Sequence, residues 1–291
     1  MASQTRDRGA VMITGASTGI GKACAMRLDR LGFQVFAGVR KDADGGALVE
    51  TASERLTPVL IDVTDETSIA SAADTVAKAV GDEGLAGLVN NAGIAVPGPL
   101  EFMPLGDLRH QMEVNSIGQI AVTQAFLPLL RKCRGRIVNI GSIAGRSVTP
   151  FVGAYAASKF AMEAFTDALR MELRPWGISV SIVEPGSIAT PIWDKGTATA
   201  DDIEKKLSKE AHDLYDPAMA ALRKATNESA RRAIPPASVA KAVTHALTAE
   251  RPKTRYLVGR DAQIRAALAK VLPDRMQDWL VARFMGLPKG G

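Results

Sequence analysis

Short runs of aliphatic and β-branched residues alternate along the chain with longer stretches whose apolar positions recur at helical spacing. The runs at 10–14, 34–39, 58–61, 87–90, 136–141, 178–184 and 255–258 predict seven strands. Between them, 22–31, 67–80, 108–130 and 156–173 carry apolar residues three and four apart and predict helices. Regular strand–helix alternation predicts parallel βαβ units with right-handed crossovers. The expected fold class is α/β, a doubly wound sheet with helices on both faces. No Gly/Ser/Pro-rich linker interrupts the pattern, so one domain is expected over 1–291. The rhythm breaks once, at 193–237, where charged helical segments end at Pro235-Pro236. An insertion between the sixth and seventh strands is placed to act as a lid over the carboxyl ends of the strands, where open α/β sheets bind ligands. After the last strand comes a helical tail, 260–291, with one helix expected at 261–272 and a second at 275–285. In the second, Met276, Trp279, Leu280 and Phe284 predict one apolar stripe.

Composition narrows the class without choosing a function. Among the 291 residues, 46% are hydrophobic and 23% charged, enough for a large core and unlike a disordered chain. No apolar run reaches the ~18 residues that span a bilayer, and the opening MASQTRDRGA has no leader-like apolar stretch, so no membrane partner is expected. With only Cys24 and Cys133 there is no disulfide framework, and a reducing cytoplasm is the expected compartment. Cys24, in the first helix, reads as a small core residue. The net charge of +5 is concentrated in 251–291, which hold nine Lys or Arg against three Asp. No aromatic residues interleave with a basic patch, so nucleic acid is not an expected partner. His110, His212 and His245 show no metal-ligand spacing, and no metal is expected.

The chemistry-bearing residues collect where strands end. The first strand feeds Thr14-Gly15-Ala16-Ser17-Thr18-Gly19-Ile20-Gly21, a G-x-x-x-G-x-G variant of the dinucleotide fingerprint. Glycines permit a tight turn, and the N–H groups at the start of the following helix favour a pyrophosphate. Asp62-Val63 follows the third strand, where a carboxylate can accept the adenine amino group. Asn90-Asn91-Ala92-Gly93 follows the fourth, where small residues let the chain pass close to the adenine ribose. Pro185-Gly186 ends the sixth, with Thr190 placed to hold a carboxamide.

With these features the chain resembles the short-chain dehydrogenase/reductase family. The likeness rests on TGASTGIG at 14–21, NNAG at 90–93, Ser142, Tyr155-Ala-Ala-Ser-Lys159 and PGSIATP at 185–191. Asn115, in MEVN, matches the family's fourth catalytic position. The resemblance implies a seven-stranded parallel sheet and a nicotinamide cofactor. It implies that Gly15, Ser17, Thr18, Gly19, Ile20, Gly21, Arg40, Asp62, Val63, Asn91, Ala92 and Gly93 contact that cofactor. Tyr155, Lys159, Pro185, Gly186, Ile188 and Thr190 complete the set. Ser142, Tyr155, Lys159 and Asn115 are the implied catalytic residues, and a homodimer or homotetramer the implied assembly.

Tyr155 and Lys159 stand one helical turn apart on one face. An unperturbed tyrosine titrates near ~10, too high for a base at neutral pH. A Lys ammonium at ~4 Å in an effective dielectric of ~20 stabilises the phenolate by roughly 4 kcal/mol, about three pKa units. Tyr155 is then placed to exchange a proton with a substrate oxygen that Ser142 hydrogen-bonds, while hydride passes to or from nicotinamide. Asn115 is expected to hold water linking Lys159 to solvent.

Cofactor choice rests on the end of the second strand, where Val39 is followed by Arg40 and Lys41 rather than by an acid. A guanidinium suits a 2′-phosphate, so NADP is expected over NAD. YLVGRDA with its Trp-Leu helix, and GFQVFAGVRK, look like family members acting on retinol, 17β-hydroxysteroids or 3-hydroxybutyrate. The lid's Trp193, Leu207, Leu214, Tyr215 and Met219 offer apolar surface for a lipophilic alcohol or ketone. The competing expectation is a catalytically inactive, dinucleotide-sensing binding protein on the same fold.

Overall fold

A computed structural model describes residues 8–205 and 207–287. Its centre is one sheet of seven parallel strands: β1 (Ala10–Ile13), β2 (Gln34–Val39), β3 (Leu56–Leu60), β4 (Gly87–Asn90), β5 (Arg136–Ile140), β6 (Ser179–Pro185) and β7 (Arg255–Val258). The strand order is 3-2-1-4-5-6-7, so the chain reverses direction across the sheet between β1 and β4. That reversal opens the crevice in which doubly wound sheets bind ligands. β4 and β6 are buried along their whole length apart from Ser179, as befits parallel strands covered on both faces. Pro58 sits in the edge strand β3, where its missing N–H is tolerated.

The helices are α1 (Gly19–Arg30), α2 (Asp42–Val49), α3 (Glu66–Val80), α4 (Leu105–Met112), α5 (Gly118–Cys133), α6 (Gly153–Glu172), α7 (Ile192–Glu204), α8 (Lys209–Arg231), α9 (Ala237–Thr248), α10 (Arg260–Val271) and α11 (Asp274–Met285). One apolar core lies beneath α1 and α9, built around Val11, Leu28 and Val243. The second lies beneath α3 and α5, around Met12, Leu88 and Phe126. Cys24 is in the first, and burial pushes its thiol up to about 12, leaving it inert.

The strands match the hydrophobic runs to within two residues at either end. The helix expected over 108–130 is instead α4 and α5 joined through a π-helical turn, Glu113–Ile117, which presents Asn115. α2 carries two glycines and no amphipathic stripe, which is why the apolar pattern does not reveal it. The lid expected over 193–237 folds as α7 and α8, closed by a bridge between Ile188 and Ile234. Among the described residues no helix is long and apolar enough to cross a membrane. Residues 1–7 and 288–291, on which the leader and the end of the tail were read, lie outside the described residues.

Candidate active site

The turns after β1 and β4 are tied into one unit. Thr14 Oγ1 accepts the backbone N–H groups of Asn91 at 2.9 Å and Ala92 at 3.0 Å. Asn91 Nδ2 in turn donates to the carbonyls of Thr14 (2.8 Å) and Gly15 (3.0 Å). Gly15 has φ +63° and no room for a side chain, since a Cβ there would stand 2.9 Å from Ala92 Cα. Gly21 lets α1 press on this turn: a Cβ would lie 2.2 Å from the Gly15 carbonyl oxygen. Thr18 starts α1 with extended backbone and no side-chain cap, and the first turn holds no acid. The leading N–H groups of α1 therefore have no side-chain acceptor, a donor set that fits an anionic pyrophosphate.

This turn opens on a cavity of about 1240 Å³ along the carboxyl ends of the strands. Gly15, Ser17, Thr18, Gly19, Ile20, Arg40, Asp62, Val63, Asn91, Ala92, Gly93, Pro185, Gly186, Ile188 and Thr190 all line it, as do Ser142, Tyr155 and Lys159. Of the residues expected from the sequence, Gly21 and Asn115 lie behind the wall. The volume exceeds that of an ordinary small-molecule pocket and suits a dinucleotide with a second ligand. Asp62 Oδ1 accepts from Thr64 N (2.9 Å) and Thr64 Oγ1 (2.7 Å), and these bonds hold its carboxyl below the usual range, with Arg40 and His110 adding to the effect.

Four of the expected side chains gather around the end of β5 and the start of α6. Ser142 sits directly after β5 and its Oγ caps the following 3₁₀ turn through Ala144 N at 3.1 Å. Lys159 is 4% exposed, and its Nζ donates to the Ile140 carbonyl at 2.8 Å. Burial brings the lysine down to about 8. Its Nζ stands 5.8 Å from the centre of the Tyr155 ring. Burial pushes the Tyr155 phenol up, and the Ser142 hydroxyl pulls it back down. The net shift is upward, opposite to the downward shift expected of a tyrosine beside Lys159, whose ammonium is bonded to the Ile140 carbonyl. Asn115 Oδ1 accepts from Ile94 N (2.8 Å), while its Nδ2 donates to Ile94 O (3.0 Å) and Ser158 Oγ (3.1 Å). Ser158 Oγ also donates to the Tyr155 carbonyl, so Asn115 steadies both the Gly93–Ile94 strap and the tyrosine's helix.

A charged layer lies under this group. Arg146, just beyond the Ser142 turn, pairs with the buried Glu184 at 2.6 Å, and Arg255 reaches Asp167 (2.7 Å) and Glu163 (3.1 Å). Burial, reinforced by the Glu184 charge, raises Glu163 to about 7.

Sequence reasoning missed two residues. Asp261 Oδ2 accepts the Ser187 N–H at 2.7 Å and pins the Pro185–Ser187 turn to the start of α10. Arg265 Nη2 donates to the Ser147 carbonyl at 2.7 Å. An acid at the start of a helix right after a strand was the available signal for Asp261. The apolar surface also differs in detail. Of the five lid residues expected to face a substrate, only Trp193 lines the cavity. α8 presents Leu222 and Ala225 instead, and Tyr215 packs edge-on against Phe102 and Phe151 outside. In α11 the inward face is Gln277, Leu280, Val281 and the buried Met285, while Met276, Trp279 and Phe284 are exposed. Its inward edge is therefore 277–281–285, and Gln277 Nε2 donates to the Leu272 carbonyl at the end of α10 at 2.8 Å.

Fold and site together define a nicotinamide-dependent oxidoreductase. Residues 9–201 match the family described as short chain dehydrogenase, and the chain belongs to the short-chain dehydrogenase/reductase family. It is 39% identical to 3-amino-tetrahydro-pyrrolizinone reductase of Xenorhabdus hominickii over 266 residues, covering 91% of this chain and 92% of that one. It is 38% identical over 285 residues to retinol dehydrogenase 5 of Mus musculus, covering 94% and 89%. A short chain dehydrogenase from Burkholderia cenocepacia, solved in complex with NADP, superposes with a TM-score of 0.69 at 28% identity over 94% of this chain and 96% of that one.

Proposed function

We propose that the protein exchanges hydride between NADP, preferred over NAD, and a lipophilic secondary alcohol or its ketone of retinoid- or steroid-like character. The observation that carries this reading is that Ser142, Tyr155 and Lys159 share one cavity with an apolar wall of Trp193, Leu222, Leu268, Leu272 and Leu280. A 38% identical relative named as a retinol dehydrogenase supports the substrate class. The lid and tail helices supply that wall and so define what enters.

The cofactor, when bound, supplies the hydride or takes it up, and in its oxidised form adds a positive charge near Tyr155. The remaining work belongs to this chain. The α1 N-terminus with Ser17, Thr18, Gly19 and Ile20 holds the pyrophosphate, Asp62 and Val63 the adenine, and Arg40 the 2′-phosphate. Asn91, Ala92 and Gly93 pass along the ribose, and Pro185, Gly186, Ile188 and Thr190 frame the carboxamide. Ser142 and Tyr155 hydroxyls donate to the substrate oxygen. In reduction the Tyr155 proton moves to that oxygen. In oxidation the phenolate, favoured by the Lys159 ammonium, takes the proton from the alcohol. Asn115 keeps the path from Lys159 to solvent in register. Exposed Phe160, Phe165 and Met171 along α6 suit contact with a second copy of the chain in a dimer or tetramer.

The test is a panel of secondary alcohols and ketones, including retinoids and steroids, followed by the absorbance of reduced cofactor with NADP and NAD. Turnover of the lipophilic members is expected, faster with NADP. Tight cofactor binding without turnover of any panel member overturns the proposal and makes the chain a dinucleotide sensor.

A further inference from the structure

In the α10 wall of the cavity stands a cation that the reaction does not use. Arg265 lines the cavity from α10, between the wall residues Ile264 and Leu268. Its Nη2 is held by the Ser147 carbonyl at 2.7 Å and more loosely by Ser147 Oγ at 3.4 Å. Among the described residues no carboxylate lies within ion-pair distance of it. Its Nε and Nη1 make no hydrogen bond and are not sealed from solvent.

Arg232, just past α8, also lines the cavity but is exposed to solvent, and the other charges at this end are committed. Arg223 is paired with Asp201 at 2.7 Å and also with Glu204. Asp261, one turn before Arg265, spends Oδ2 on the Ser187 N–H, and its Oδ1 is wedged against Gly186 and Gly259. Lys159 is bound to Ile140. A guanidinium held in place at one nitrogen, with donors left over in a largely apolar cavity, is a preformed receptor for a planar anion. Burial lowers the Arg265 titration against the opposing pull of Asp261, and a ligand carboxylate would add the directly bonded counter-charge that the guanidinium lacks.

We propose that Arg265 is a specificity-determining residue that binds a carboxylate on the substrate, so that the preferred substrates are lipophilic hydroxy or oxo carboxylic acids. This rests on, and narrows, the proposed dehydrogenase activity. Ser147 follows Ser142 by five residues across the 3₁₀ turn Ile143–Gly145. At about 2 Å of rise per residue, the anchored guanidinium lies on the order of 10 Å from the reacting oxygen. The carboxylate is therefore separated from the reacting carbon by several bonds, with the apolar body along Leu268, Leu272 and Leu280.

The experiment compares an oxo acid of that length with its methyl ester, using the full chain with cofactor. Wild type should favour the acid by about 10- to 100-fold in kcat/KM, the worth of one charge-assisted contact. In Arg265→Met the acid-to-ester ratio of kcat/KM should fall to about one, chiefly through a rise in the acid's KM. Arg265→Lys should restore part of the preference. Equal loss on acid and ester would make Arg265 a tether of α10 only, and a wild-type preference for the ester would overturn the inference outright. The wild-type ratio needs no variant, so a misfolded Arg265→Met leaves the test standing. If wild type turns over neither compound, the dehydrogenase reading fails separately. Calorimetric binding of acid against ester to the cofactor complex then decides the carboxylate site alone.

Discussion

Lys159 on α6 donates through Nζ to the carbonyl of Ile140, the last residue of β5, at 2.8 Å. The bond fixes the ammonium at the carboxyl end of β5, two residues before Ser142. Burial lowers this lysine to about 8, so its charge fades as pH rises through that value. Lys159→Ala should therefore remove two functions at once. Turnover should fall at least 100-fold, and the cofactor dissociation constant, measured by fluorescence titration, should rise about 10-fold or more. Unchanged cofactor affinity would take the ammonium away from the ribose.

Tyr155→Phe separates binding from chemistry. The ring keeps its packing while the proton donor is gone, so kcat should fall by 10³-fold or more, on the order expected of a lost acid/base group and its oxyanion contact, with cofactor affinity nearly unchanged. Turnover within ten-fold of the parent would remove Tyr155 from its role.

Cofactor preference should reside in Arg40, which lines the cavity and acts electrostatically on Asp62. Arg40→Asp replaces a cation by an anion where a 2′-phosphate would sit. The NADP-to-NAD ratio of kcat/KM should drop by about 10- to 100-fold or more. A ratio that does not move assigns Arg40 to stacking on adenine.

Glu163 makes stability depend on pH. Its carboxyl is raised from 4.5 to about 7, by burial and by Glu184, against the opposing pull of Arg255 and Arg146. The folded state thus holds a proton that the unfolded chain releases near 4.5, and the stability tied to this group is full below that value and lost as pH rises through 7. Glu163→Gln should flatten the decline in urea midpoint between pH about 5 and about 7.5. An identical slope in both proteins would show that another group carries it.

Truncation after Gly259 tests the tail. It would remove Asp261 from Ser187, Arg265 from Ser147, and Ala262 and Ala266 from their packing against Ile143. The shortened chain should melt several degrees lower and lose most of its kcat/KM for lipophilic alcohols. Retained fold, assembly and kcat/KM would leave the tail with no part in the pocket.

Much of the molecule could be read from the chain alone because the signals are local. A continuous apolar run between turn residues is a buried parallel strand, and β2, β4 and β7 begin and end where the runs do. The Thr14–Gly21 turn, the Tyr155–Lys159 spacing and the strand-end residues each depend on a few neighbours, so their place in one cavity follows once the strands are parallel. α2 escaped because its glycines erase the periodicity that would reveal it. What only the tertiary structure decided depends on groups far apart in sequence. The direction of the Tyr155 and Lys159 titrations is set by burial, which Ser142 opposes at the tyrosine. The face that α11 turns inward is set by where α8 and α10 leave space. The roles of Asp261 and Arg265 exist because α10 folds back against residues 74 and 118 positions earlier, at Ser187 and Ser147. A helical pattern states which residues share a face. Only the neighbour packed against that face determines whether it meets a core, a substrate or water.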